Sequence, residues 1–301
     1  MVFKLAHISD IHMGPLPKVR ARELMSKRLT GYVNWKRNRS NSMGDGTLNH
    51  IVEAGKAAGP NHVAITGDLI NIGLDAEVNL AASWLKQNWD PSVTSVVPGN
   101  HDAYIRGTLA KAINAWKPFM SNEHGEDYGD GSHFPFMRRR EDVAIIGTSS
   151  AVSTPAFIAA GRFGTKQAKR LSSLLKHTGE NGLFRVVLIH HPPVKAATVP
   201  RKKLYGIQTF QRVIAAHGAE LVLHGHTHLA QRHTIAGPND TIVPVIGVPS
   251  ASQAPGAKRP AAAFNLFSIE RENGQWKCLL EEHSLTSATG KLTITDQRTL
   301  L

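Results

Sequence analysis

The chain has 301 residues, of which 41% are hydrophobic and 19% charged, a balance that suits a globular protein with a substantial core and excludes a disordered chain. Its net charge of +12 favours anionic partners: phosphate esters, nucleic acid or an anionic membrane surface. The single cysteine, Cys278, excludes an internal disulfide and reads as a buried strand residue.

Residues 2–8 form an apolar run that ends in Asp10-Ile11-His12. A helix is predicted over 47–58, stopped by Gly59-Pro60, and the strand-like run 62–66 ends in Gly67-Asp68. A helix over 75–88 follows, and the run 93–97 leads into Gly99-Asn100-His101-Asp102. Helices are predicted over 108–119 and 165–177, the second stopped by Gly179. The run 185–189 then ends in His190-His191-Pro192-Pro193. A helix over 207–217 stops at Gly218, and the run 220–223 leads through His224 into Gly225-His226-Thr227-His228. Beyond Thr241 the segments 242–246, 263–270 and 275–282 read as strands without intervening helices, completing a second sheet. Short, continuous apolar runs suit strands buried on both faces, and their alternation with helices implies a layered α/β fold. In such folds ligands sit at the carboxyl ends of strands, where these polar blocks fall.

Carboxylate, amide and imidazole together form the inventory that two neighbouring divalent cations need. Asp10 and His12 are two apart at a strand end, and in extended backbone such a pair points the same way. His226 and His228 repeat that spacing, with Gly225 giving backbone freedom before them. Asp68 follows a glycine, where its two oxygens could bridge two ions, and Asn100 adds a neutral amide oxygen. Each block alone has an ordinary reading as a surface pair, turn, capped loop or polar hairpin. Five of them in order at strand ends favour a metal centre.

This set of motifs resembles the signature of the calcineurin-like metallophosphoesterase superfamily, over residues 3 to about 250. The His-His-Pro-Pro and Gly-His-Thr-His forms are most similar to its bacterial cyclic-nucleotide phosphodiesterase branch. The resemblance implies a four-layer αββα sandwich, two mixed β-sheets flanked by helices, with a dinuclear centre at the top of the sheets. We read 1–301 as a single domain of that kind. By the same resemblance Asp10, His12 and His228 hold one ion, Asn100, His190 and His226 hold the other, and Asp68 bridges them. His191 then stands behind the ligands, and His7 and His224 read as core histidines. Purple acid phosphatases of the superfamily carry a metal-binding tyrosine where this chain has Asn71, which leaves manganese, zinc or ferrous iron as the expected cofactors.

The expected activity is hydrolysis of a phosphodiester, such as a cyclic nucleotide, by a hydroxide held between two metal ions. His101 would face the substrate as an imidazolium that stabilises the transition state or protonates the leaving oxygen, with Asp102 orienting it through a hydrogen bond or, as the plain alternative, only capping the following loop. Two other enzymatic readings are open: a membrane-associated hydrolase of the UDP-diacylglucosamine pyrophosphate type, and a nuclease. A non-catalytic scaffold is disfavoured because every motif is intact.

Residues 18–39 carry eight lysines and arginines against one acid, Glu23. Leu24, Met25, Leu29, Tyr32 and Val33 recur roughly at helical spacing among them, which predicts a basic amphipathic insert at about 16–44. Packing by its apolar stripe is the plain expectation; a lid, a contact with anionic membrane or a grip on nucleic acid are the alternatives. Arg138-Arg139-Arg140, Arg201-Lys202-Lys203 and Lys258-Arg259 are expected as exposed charge runs, with Lys202 or Lys203 within reach of a second phosphate. Phe157, Ile158 and Phe163 are expected to pack in the core, with a pocket lining or a dimer contact as the alternatives. No apolar leader precedes the first strand and no run reaches the roughly 18 residues of a membrane span, so a cytoplasmic location is expected.

Overall fold

The computed structural model describes residues 1–38, 46–122, 133–256, 259–287 and 290–301; Arg39, the rest of the insert to residue 44, and Lys258 lie outside them. In chain order the first half comprises β1 (Phe3–Ile8), α1 (Arg28–Asn38), α2 (Thr47–Ala57), β2 (His62–Ile65), α3 (Asp75–Asn88), β3 (Thr94–Val96) and α4 (Thr108–Trp116). Then come β4 (Phe136–Arg140), β5 (Val143–Gly147), β6 (Gly161–Arg162), α5 (Thr165–Glu180), β7 (Phe184–Leu188), β8 (Leu204–Tyr205) and α6 (Ile207–His217). The chain closes with β9 (Leu221–His224), β10 (Arg232–Ala236), β11 (Ile242–Gly247), β12 (Ala263–Glu272), β13 (Gln275–Leu285) and β14 (Leu292–Thr299).

Two mixed sheets of six strands form the centre, ordered β14-β13-β12-β1-β2-β3 and β10-β11-β9-β7-β5-β4. Side-chain alternation explains why their strands read as unbroken apolar runs. Val143, Ile145, Val186, Leu188, Leu221 and Leu223 join one core cluster with Leu5 and Ile65 of the first sheet. Their neighbours Ile146, Val187 and Val222 face the other way, against Leu171 and Leu175 of α5 and Phe210 and Ile214 of α6. Both faces are thus covered, as parallel strands require. Ile51 of α2, Leu85 of α3 and Trp116 of α4 are buried in the cluster that includes the first sheet. Trp116 also donates its indole N–H to the Val78 carbonyl at 3.1 Å.

Three expectations need correction. Residues 242–247 do complete the second sheet, but β12 and β13 add to the first, where β12 runs antiparallel to β1. Asn273 and Gly274, at φ 51° and 81°, make the two-residue turn between them, a hairpin signal the sequence carried. Arg138-Arg139-Arg140 is not an exposed run. It belongs to β4, which pairs with β5, and Arg138 is only 4% exposed. Its guanidinium donates to the carbonyls of Ser121 at 3.1 Å, Thr94 at 2.7 Å and Pro118 at 2.5 Å, and also to that of Pro91. A β-strand turns alternate side chains inward, so one arginine of three enters the interior, where main-chain oxygens receive it. Phe163 packs on Phe210 as expected, but Phe157 and Ile158 are exposed.

The basic insert is built differently from its predicted helix. A 3-10 turn spans Ala21–Leu24, and α1 begins at Arg28. Its apolar residues divide: Leu24 and Tyr32 pack with Ile72, Leu74 and Tyr104, whereas Met25, Leu29 and Val33 face outward. A Cβ at Gly31 would fall 2.1 Å from the Tyr104 hydroxyl oxygen, so only glycine lets the helix approach that ring. No described helix is long and apolar enough to cross a membrane.

Removing the Arg138 fork leaves buried carbonyls without donors. Arg138→Ala is expected to lower the unfolding free energy by about 3 kcal/mol, whereas Arg139→Ala, on the outer face, should change it by less than about 0.5 kcal/mol. Urea unfolding of the two variants beside wild type measures the difference.

Candidate metal centre

Five loops meet at one edge of the sandwich, each following the carboxyl end of a strand: β1, β2 and β3 of the first sheet, β7 and β9 of the second. Main-chain bonds tie them together. The amides of Asp10 and His12 donate to the carbonyls of Gly67 and Asp68 at 3.0 and 2.8 Å, and the Gly225 amide donates to the His190 carbonyl at 3.1 Å. Ser250 Oγ donates to the Asp10 carbonyl at 2.6 Å, joining the loop after β11 to the same knot.

The backbone at these loops is unusual. Asp10, His12, Asp68, His226 and His228 all have positive φ, at 52°, 43°, 55°, 70° and 58°. Non-glycine residues in this region cost about 1–3 kcal/mol each and persist only where surrounding structure over-determines them. The two i, i+2 pairs therefore do not converge through extended backbone, as the spacing suggested; the strand has already ended, and left-handed turns redirect the chain. Gly225 also has a different reason from conformational freedom. A Cβ there would lie 1.8 Å from Ser9 Oγ and 2.7 Å from Asp10 Oδ2, so the position admits no side chain.

The donor atoms form two groups joined by one oxygen. In the first, His228 Nε2 lies 3.1 Å from Asp10 Oδ1 and 3.3 Å from His12 Nε2, with His12 Nε2 3.9 Å from Asp10 Oδ1. In the second, His190 Nε2 lies 3.3 Å from Asn100 Oδ1, and the His190 and His226 rings are 5.2 Å apart. Asp68 Oδ2 stands between them, 3.4 Å from His190 Nε2 and 3.7 Å from His12 Nε2. Donors bound to one ion at about 2.1 Å stand about 3 to 3.4 Å apart, so these spacings suit coordination.

Carbonyl oxygens fix the histidine tautomers, since a carbonyl can only accept. His12 Nδ1 donates to Ile70 O at 3.2 Å, His190 Nδ1 to Thr66 O at 2.6 Å, and His226 Nε2 to Lys202 O at 3.0 Å. Each bond leaves the opposite ring nitrogen with its lone pair for a cation, the arrangement by which proteins orient metal-binding imidazoles. Asp10 is divided in the same way: Oδ2 accepts the His226 amide at 2.9 Å, while Oδ1 is buried 3.1 Å from His228 Nε2. A buried carboxylate oxygen between two imidazole nitrogens needs positive charge beside it, which either an imidazolium or a metal ion supplies. The residues present therefore fit two divalent ions.

His101 and Asp102 divide their tasks in an unexpected way. The Asp102 carboxylate accepts the amides of Asp68, Leu69, Ile70 and Gly99 at 2.8, 2.9, 3.3 and 2.8 Å. It clamps the loops after β2 and β3 together rather than orienting His101 by a hydrogen bond. That bond comes from the Asn71 carbonyl, which accepts from His101 Nδ1 at 2.5 Å. His101 Nε2 then lies 4.0 Å from Asp68 Oδ2, and the ring stacks on Tyr104 at 5.5 Å. Asn71 is buried and donates its amide to Met13 O at 2.7 Å, and Glu77 receives the main-chain amides of Asn71, Ile72 and Leu74. Sequence reading passed over Glu77 and Tyr104; the one available signal was a glutamate in the first turn of a helix, where it satisfies free amides.

Of the remaining histidines, His191 is held at both nitrogens, by Ser150 Oγ at 2.8 Å and the Ala159 carbonyl at 3.2 Å, and its ring lies 4.3 Å from that of His226. His7 and His224 are fully buried, and burial pushes them down to about 3 and about 4. Lys202 accepts a hydrogen bond from His226 on its carbonyl while its ammonium charge acts on the same imidazole, and the Lys203 ammonium lies 4.7 Å from the centre of the Tyr205 ring.

Charge coupling gives the metal-free site a distinct pH behaviour. Burial alone would lower His190, but the Asp68 and Asp10 carboxylates and the Thr66 carbonyl together outweigh it and hold the imidazole at about 9. Burial would raise Asp68, yet His190, His101 and His12 keep it well below the ordinary carboxylate range. An ion must displace the proton from His190, so affinity is suppressed below pH 9 and released above it. Apparent affinity of the metal-free protein for zinc is expected to rise about tenfold per pH unit toward that value and then flatten. Chelator competition across the range measures it, and a flat profile between about pH 7 and 8.5 would contradict the proton on His190.

The fold has counterparts among known proteins. A dimetal phosphatase from Danio rerio superposes with a TM-score of 0.68 at 14% identity, covering 99% of this chain and 98% of that one. A purple acid phosphatase from yellow lupin seeds, Lupinus luteus, gives 0.57 at 13% identity, with 99% of this chain matched to 53% of the other. A 5′-nucleotidase precursor from Thermus thermophilus gives 0.53 at 12% identity, with 100% of this chain matched to 54%. No curated protein matches the sequence. Residues 3–230 match the Calcineurin-like phosphoesterase family, and the chain belongs to that family.

Proposed function

We propose that the protein hydrolyses a phosphodiester, using two divalent ions of the manganese, iron or zinc type. The observation that carries this reading is the convergence of Asp10, His12 and His228 with Asn100, His190 and His226 about Asp68 Oδ2, with His101 at the rim. When bound, the two ions supply an activated water and neutralise charge on the phosphoryl oxygens. Asp10 and Asp68 are the only anionic ligands; imidazoles and the Asn100 amide complete the set. With two divalent ions in place and His101 protonated, the site would carry a net positive charge, which suits an anionic phosphoester.

His101 performs the remaining chemistry. Its Nδ1 proton is held by the Asn71 carbonyl, so Nε2 is the atom that faces substrate and delivers a proton to the leaving oxygen. Its ring stacks on Tyr104 at the rim, within 4.8 Å of the donor atoms of His12 and Asp68. Cyclic nucleotides, suggested by the motif forms, are the soluble diesters to try first. A lipid-borne phosphoester or pyrophosphate is a second reading, favoured by the exposed apolar side chains of the insert.

The test uses metal-free protein reconstituted with manganese, zinc or iron, assayed on bis(4-nitrophenyl) phosphate and on 4-nitrophenyl phosphate. Diester turnover should exceed monoester turnover and disappear in Asp68→Ala together with metal binding. His101→Ala should keep both ions and lower kcat about a hundredfold to ten-thousandfold. Faster monoester cleavage would sink the diester assignment, and loss of metal in His101→Ala would sink the role of that residue.

A further inference from the structure

The segments 18–37, 152–163 and 194–206 carry twelve lysines and arginines against a single acid, Glu23, which accounts for almost all of the chain's net charge of +12. The same segments hold seven of the thirteen exposed large apolar side chains among the described residues. Met25, Leu29 and Val33 project from the insert at 85%, 53% and 40% exposure, and Phe157, Ile158 and Val199 from the other two at 82%, 38% and 51%. Phe157 is held at φ 65°, a conformation that a bulky residue rarely adopts. Isolated apolar residues on a surface need no explanation; this concentration does.

The three segments form one face. Lys27 Nζ donates to Thr154 Oγ1 at 3.1 Å and to the Ile158 carbonyl at 3.5 Å, tying the insert to the loop before β6. The amides of Ala159 and Gly161 donate to the carbonyls of Arg201 and Lys203 at 3.0 and 3.1 Å, and β6 pairs with β8. The face is also anchored to the metal centre. The carbonyls that hold His226 and His191 belong to Lys202 and Ala159, and Lys27 Nζ lies 4.5 Å from the centre of the Tyr104 ring that stacks on His101.

We propose that this face docks on an anionic phospholipid bilayer and presents the metal centre to an amphiphilic phosphoester held in that bilayer. Outward apolar groups enter the headgroup boundary while surrounding lysines and arginines meet lipid phosphates, the pairing by which peripheral proteins bind membranes. A nucleic-acid backbone would use the cations and could stack on Phe157 and Tyr205, but it would leave Met25, Leu29, Val33, Ile158 and Val199 without a role. Docking itself is independent of the reaction, whereas the substrate class rests on the hydrolase reading above.

Vesicle flotation tests the docking on the full chain. Wild type is expected to partition about tenfold or more in favour of phosphatidylcholine vesicles containing one third phosphatidylglycerol over phosphatidylcholine alone. Met25→Ser combined with Phe157→Ser should reduce that partition about tenfold, as should Lys18→Gln, Arg22→Gln and Arg37→Gln together, with thermal melts showing both variants folded. Absence of wild-type flotation overturns the proposal. So does a serine variant that floats like wild type, or a single-stranded oligonucleotide that binds tightly while vesicles do not. Hydrolysis of bis(4-nitrophenyl) phosphate is measured in parallel. Retained turnover without flotation faults the docking face, and flotation without turnover faults the hydrolase reading.

Discussion

The structure of the site depends on one buried carboxylate outside the set of candidate ligands. Asp102 accepts four main-chain amides from the loops after β2 and β3, and through them sets where Asp68 and Asn100 stand. Asp68 then accepts the His101 amide with one oxygen at 2.7 Å and offers the other to both groups of donors. A carboxylate bonded to amides is rigid in a way that one facing solvent is not, because each N–H would otherwise lie buried and unsatisfied. The metal-binding geometry is thus imposed by main-chain chemistry before any ion arrives.

The same logic extends to the strained residues. Five candidate ligands with positive φ could not hold that conformation in an isolated loop. Here they are fastened to one another: the Asp10 loop to the Asp68 loop, the His226 amide to Asp10, the Ser250 hydroxyl to the Asp10 carbonyl. Carbonyl oxygens of Ile70, Thr66 and Lys202 then turn each imidazole so that its lone pair points inward. A second ring of groups, drawn from residues with no ligand chemistry of their own, therefore decides which nitrogen a metal would meet. Asn71 shows the point well. Its side-chain amide donates to the Met13 carbonyl, and its own main-chain carbonyl holds His101.

The insert links this centre to the molecular surface. Its inner residues, Leu24 and Tyr32, pack against Ile72 and Tyr104, and Tyr104 in turn supports His101. Its outer residues leave apolar groups among cations, a combination with little value to folding stability. A helix that used its whole apolar stripe for packing would not do this, so the division of the stripe points to a partner outside the chain.

Sequence alone determined the alternation of buried strands and helices, because continuous apolar runs and glycine stops are local signals. It also singled out the candidate ligands Asp10, His12, Asp68, Asn100, His190, His226 and His228, because their motifs name them whatever their backbone does. Tertiary structure decided the rest. No periodicity tells that β12 and β13 extend the first sheet rather than the second, since the choice depends on which strand edge is open. Nothing local separates Arg138, buried among carbonyls, from Arg139, exposed beside it, until the strand is placed in its sheet. Nor could spacing show that Asp102 serves amides while Asn71 serves His101. Those partners lie about thirty residues apart, and a hydrogen bond over such a separation exists only once folding has closed the loop between them.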